Sequence, residues 1–94
     1  MSNVRYLTPE DHNRAVRVAP LDSIIAEVSA LTGVHERLIR GRSRERTVVN
    51  ARWLAWSVAH REGMSFAEIG RRMGFDHTSV LYGVRREEAM RRQA

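Results

Sequence analysis

The sequence predicts an all-α fold of five or six short helices. Three observations predict it. Apolar residues recur at helical spacing in most of the chain, and no stretch alternates with the period of a strand. Glycines and capping residues divide the periodic segments into helix lengths. The segment from Phe66 to Arg86 reads as a short amphipathic helix, a tight turn and a second helix that starts on small polar side chains, the pattern of a helix-turn-helix.

The chain has 94 residues, enough for one small domain and its core. Residues 1–20 show no sustained periodicity and are punctuated by Pro9 and Pro20. They read as an irregular arm or a loosely packed helix, ahead of a helix-turn-helix domain over residues 21–94.

Leu21, Ile24, Ile25, Val28 and Leu31 share one face of a helix, and Gly33 stops it. A short helix is expected from His35 to Ile39, ahead of Gly41. Residues 40–46 read Arg-Gly-Arg-Ser-Arg-Glu-Arg, with no apolar residue, and form a loop or a frayed helix start. The central helix is expected from Thr47 to about Arg61. Val48, Ala51, Leu54, Ala55 and Val58 form its stripe, with Trp53 and Trp56 beside it. Gly63 ends it. Ser65 caps the next helix and Glu68 completes a capping box. Phe66, Ile69 and Met73 face inward, and Gly74 closes that helix. Asp76 caps the last helix, which turns Val80, Leu81 and Val84 to the core. Arg85, Arg86, Arg91 and Arg92, mixed with Glu87 and Glu88, give it polar final turns.

Composition narrows the function. There is no cysteine, which excludes disulfides, thiolate metal sites and cysteine nucleophiles. His12, His35, His60 and His77 lack the spacing of a metal site, and no Ser-His-Asp arrangement is visible. No catalytic residue, metal or cofactor is expected. With neither an apolar leader nor a run of about 18 apolar residues, a cytoplasmic, nucleoid-associated protein is expected. The net charge is +5, and every one of the 16 basic residues is arginine. Residues 1–36 hold three arginines against five acids, whereas residues 37–94 hold thirteen against six. The positive charge lies where the helix-turn-helix lies, which suits an anionic partner.

In a helix-turn-helix the two helices cross at small residues, here Ala67 and Gly70, and Gly74-Phe75 supplies the turn. Asp76, His77, Thr78 and Ser79 form the exposed tip of the second helix. A carboxylate accepts from cytosine N4, a threonine methyl packs on a thymine methyl, and an imidazole donates or accepts at a base edge. The plainer reading makes Asp76 only a cap and His77 only a solvated residue. Likewise, the arginine run is either a groove-binding arm or a solvated loop, and Trp53 and Trp56 are either packing residues or a stacking platform.

Ile69-Gly70, then Gly74, then Asp76-His77-Thr78-Ser79-Val80-Leu81 resembles the signature of the bacterial replication initiator DnaA, whose Asp-His-Thr-Thr-Val core follows a Gly-Gly-Arg turn. Arg42-Ser43-Arg44-Glu45-Arg46 is similar to that family's basic loop, and Ala51-Arg52 to the helix after it. The likeness covers roughly residues 21–90, the C-terminal duplex-binding domain (domain IV), and implies its Trp-repressor-like helix-turn-helix fold. It implies that Arg44 enters the minor groove and that Asp76, His77 and Thr78 read bases in the major groove. Arg42, Arg46, Arg52, Ser65, Ser79 and Tyr82 would meet the sugar–phosphate backbone.

The departures are local. Gly74-Phe75 stands where the family has Gly-Gly-Arg, so the turn is one residue shorter and lacks its arginine. Phe75 would pack under the turn or touch a sugar edge. Tyr82 stands where a histidine is common, and Trp53 where a glutamine is common. A glycine-rich phosphate loop is missing, so the chain is expected to be an excised domain or a small stand-alone relative without ATPase activity. The expected role is sequence-preferring duplex binding, as a monomer on DNA, in control of replication initiation or of transcription. The other class of reading is a protein-interaction module that keeps the fold and has lost specific DNA binding, with the tryptophans and residues 1–20 as its contact surface.

Overall fold

The computed structural model describes residues 21–94, which form five α-helices and no strand. The arm expected over residues 1–20 lies outside the described residues. The helices are α1 (Leu21–Thr32), α2 (Glu36–Arg40), α3 (Arg46–Arg61), α4 (Phe66–Met73) and α5 (His77–Gln93).

The α3 helix is the axis of the domain: α1 and α2 pack on one side of it, α4 and α5 on the other. It is therefore buried on several faces, with Val48, Ala51, Ala55, Trp56 and Ala59 in the core and Leu54 and Val58 half-covered at its edge. Small residues at 51, 55 and 59 let neighbouring helices approach closely. Trp56 is the largest fully enclosed side chain and fills the space between α3, the turn and α5.

The first helix buries Leu21, Ile24, Ile25 and Val28. Leu31, expected on that same face, is 76% exposed instead. It lies in the last turn of α1, outside the core. Gly33 ends the helix at φ 77°, and its N–H donates to the Ser29 carbonyl. The short α2 helix is capped by His35, whose Nδ1 accepts from the Arg37 N–H at 3.0 Å, and it commits Ile39 to the core.

Gly63, at φ 110°, turns the chain out of α3. The joint to α4 is tied by His60, whose Nδ1 lies 2.9 Å from the Met64 carbonyl oxygen and whose ring stacks on Phe66 at 4.1 Å. Ser65 caps α4 as expected, accepting from the Glu68 N–H at 3.0 Å. The carboxylate of Glu68 pairs with Arg72 at 3.2 Å.

The crossing of α4 and α5 depends on one glycine. A Cβ on Gly70 would collide with the Phe75 carbonyl oxygen, so a side chain there would part the two helices. Ala67, expected to share this crossing, is exposed. Gly74 adopts the left-handed conformation at φ 76°, and the Phe75 N–H returns to the Gly70 carbonyl at 2.8 Å. The Gly70 carbonyl also accepts the Gly74 N–H, and the two bonds close the end of α4 and aim the chain into α5. Further along, Gly83 lets α5 lie on the indoles. A Cβ there would fall 2.7 Å from Trp53 Nε1 and 2.8 Å from Trp56 Cε3.

The final turns of α5 are less open than the sequence implies. Glu87 is 7% exposed and pairs with Arg91 at 3.2 Å. Burial acts against its charge, but hydrogen bonding from Arg91, with the positive field of Arg91 and Arg61, holds its carboxyl below the usual range.

Candidate nucleic-acid interface

Two segments meet on one face: the arginine loop between α2 and α3, and the N-terminal tip of α5. Between them runs a groove lined by Arg42, Ser43, Arg44, Thr78, Ser79 and Tyr82. Its floor holds Val49, Arg52, Trp53, Trp56 and Phe75. The two segments stand about thirty residues apart in the chain, and packing of both on α3 joins them.

Asp76 occupies the N-cap position of α5 with extended backbone, at φ −65° and ψ 143°, yet its side chain makes no capping hydrogen bond. The expectation that it caps the helix is corrected in this respect. Its carboxylate stays exposed, 3.8 Å from His77 Nδ1. His77, Thr78 and Ser79 are exposed as well, and among the described residues Thr78 and Ser79 make no side-chain hydrogen bond. The first N–H groups of α5 also point outward without a cap. A helix start of this kind offers unused donors and acceptors at its tip, the arrangement by which a recognition helix addresses base edges and phosphates.

The arginine loop is held from below. Arg52 is 4% exposed. Its Nε donates to the Ile39 carbonyl at 2.9 Å, and its two terminal nitrogens donate to Ser43 at 3.0 Å and Leu38 at 3.1 Å. Burial, together with the nearby charge of Arg42, lowers its pKa from the ordinary arginine value. These bonds pin the loop to the end of α2. The structure thus gives Arg52, expected at the sugar–phosphate backbone, a supporting role that the sequence did not reveal. The guanidinium thus meets three carbonyls of a short helix and its loop, one of which, Leu38, also accepts from the Gly41 N–H.

Arg42, Arg44 and Arg46 are exposed. Arg42 donates to the Gly74 carbonyl, and its guanidinium lies over the Phe75 ring, 4.4 Å from the centroid. Phe75 itself is half-buried, edge-on to Trp56 at 5.0 Å, so it packs under the turn. Arg44 makes no hydrogen bond or ion pair among the described residues. Ser65 is exposed at the start of α4, with its hydroxyl engaged in the cap. Tyr82 is 60% exposed and meets Trp53 edge-on at 5.9 Å, forming the wall of the groove on the α5 side. Trp56 is enclosed and Trp53 is half-buried, so the pair serves packing and not a stacking platform for single strands. Gly83 is the small partner that these tryptophans require, and their three-residue spacing is its only signal in the sequence.

An all-helical module with this turn, an exposed polar tip and an adjoining arginine loop belongs to the DNA-binding helix-turn-helix class. The family model described as the bacterial dnaA protein helix-turn-helix matches residues 21–86. The chain belongs to that family. It is 41% identical over 75 residues to the chromosomal replication initiator protein DnaA of Roseiflexus castenholzii, covering 78% of this chain and 15% of that protein. It is likewise 41% identical over 75 residues to the DnaA of Herpetosiphon aurantiacus, covering 78% of this chain and 16% of that one. The chain therefore spans about a sixth of the length of these curated relatives. No solved structure matches it significantly.

Proposed function

We propose that this protein binds duplex DNA with sequence preference through both grooves at once. The observation that carries this reading is the uncommitted polar tip of α5 beside the exposed arginines of the loop, on one groove of the surface. In this reading Asp76, His77 and Thr78 contact base edges in the major groove, and Arg44 enters the adjacent minor groove. Arg42, Arg46, Ser79 and Tyr82 flank the path and meet the sugar–phosphate backbone, as does Ser65 at the start of α4. Arg52 acts from beneath by holding the loop. A carboxylate near phosphates is unfavourable unless a base donor meets it, so Asp76 discriminates between sequences and adds little affinity.

Its relatives are replication initiators by name. The role proposed for this chain is that it occupies sites similar to initiator boxes and acts in control of replication initiation or transcription. The loop and the α5 tip come from one chain, which supports binding as a monomer.

Titration with duplex DNA at low salt tests the reading. About six phosphate contacts give a plot of log affinity against log salt with a slope near −5. Selection from a random duplex pool should recover one motif. An absence of duplex binding even at tens of micromolar at low salt would overturn the proposal in favour of a protein-interaction module.

A further inference from the structure

The arginine loop and the helix-turn-helix meet at a single point above the groove floor. There the Arg42 guanidinium donates to the Gly74 carbonyl, and its Cζ lies over the Phe75 ring, 4.4 Å from the centroid. Arg52 approaches the same ring at 5.4 Å, and Trp56 supports its edge at 5.0 Å. The Gly74 carbonyl stands at the end of α4, where helix carbonyls lack partners and the helix dipole is negative, so a cation is welcome there. An aromatic ring below a guanidinium adds the attraction of its negative face. Gly74 is required here by its left-handed backbone, at φ 76°, which directs its carbonyl into the turn.

We propose that Arg42 and Phe75 form a latch between the arginine loop and the turn, and that this latch sets the offset between Arg44 and the α5 tip. The inference rests on the duplex-binding reading above. It makes Arg42 a positioning residue for Arg44 in addition to a backbone contact. It also accounts for Phe75, because a turn one residue short and without its own arginine receives one from the loop. Arg52 pins the loop at its root and the latch pins it at its tip. Arg44, two residues beyond Arg42, is then presented at a fixed distance from Asp76, His77 and Thr78. The latch thereby selects DNA sites by the spacing between minor-groove and major-groove elements.

Lysine at position 42 keeps the charge but cannot bond the carbonyl and stack on the ring together. Leucine at position 75 keeps apolar bulk against Trp56 and removes the ring. In duplex selection with the full chain, Arg42→Lys and Phe75→Leu should each lower discrimination at the arginine-loop end of the site by about two- to five-fold, the worth of one exposed cation–π contact. Discrimination at the α5 end should persist. The double variant should lose no more than either single one, because both remove the same contact. The salt slope of Arg42→Lys should match the unaltered protein, whereas Arg42→Ala should flatten it by about 0.9. A DNA-free readout separates the latch from the binding reading: by NMR, the Arg42 guanidinium protons should exchange more slowly than those of Arg44, and Phe75→Leu should abolish the difference. Slow exchange without any duplex binding would sink the duplex reading and leave the latch standing. Fast exchange at Arg42, or an unchanged site preference in both Arg42→Lys and Phe75→Leu, would overturn the latch.

Discussion

Two helix starts in this molecule have nearly the same backbone and opposite uses. At Ser65 (φ −72°, ψ 158°) the side chain closes on the Glu68 N–H and caps α4. At Asp76 (φ −65°, ψ 143°) the side chain makes no cap bond, and α5 begins with its polar groups turned to solvent. The first start is built for stability. The second forgoes a bond that aspartate makes readily. The arginines divide in the same way: Arg52 is buried and gives its N–H groups to three carbonyls, while Arg44 is exposed and uncommitted. Committed side chains hold the face in shape, and uncommitted ones remain for a partner.

Substitutions on the two sides should separate stability from binding. The largest effect is expected at Arg52. Arg52→Met removes the arginine's bonds to the Ile39 and Ser43 carbonyls and should cost about 3 kcal/mol of folding stability by denaturant titration. An unchanged midpoint with a large loss of DNA affinity would return Arg52 to the interface. Next comes Gly70, which lets α4 lie close against the start of α5. Alanine is the better helix former by about 1 kcal/mol, but overpacking against the Phe75 carbonyl should leave Gly70→Ala less stable by about 2 kcal/mol. A stabilised variant would show that the crossing tolerates a side chain.

On the uncommitted side, His77→Ala should cost about 1–3 kcal/mol in binding to the selected sequence and relax its preference at one position. Folding stability should barely move. Ser65→Ala should lower stability by about 1 kcal/mol, measured as a reduced denaturation midpoint, with the order of preferred sequences preserved. Asp76→Ala should show the smallest stability change, within about 0.5 kcal/mol, while reordering the preferred sequences. If Asp76→Ala destabilises as much as Ser65→Ala, the contrast between the two starts disappears. If it leaves the sequence ranking unchanged, base readout by this residue is wrong.

Much of this architecture is legible in the chain itself. Helix positions follow from apolar spacing and from Gly33, Gly63 and Gly74, because local backbone preferences and a one-sided core dictate both. The family is legible in the Asp-His-Thr sequence after its turn. Leu31 is not, because periodicity assigns a face but not where the neighbouring helix ends. Asp76 is not either, because an aspartate before a helix looks the same whether or not its side chain closes on the backbone.

What the sequence determined by itself is the set of helices, their glycine stops and the Ser65 cap, and the gathering of positive charge after residue 36. What only the tertiary structure decided is which polar groups are taken. Arg52 is taken by carbonyls from α2 and its loop, and one nitrogen of Arg42 by the turn, because α3 brings together segments that are far apart in the chain. Hydrogen-bond commitment depends on distances of a few ångströms between remote residues, and no local pattern in a sequence encodes those.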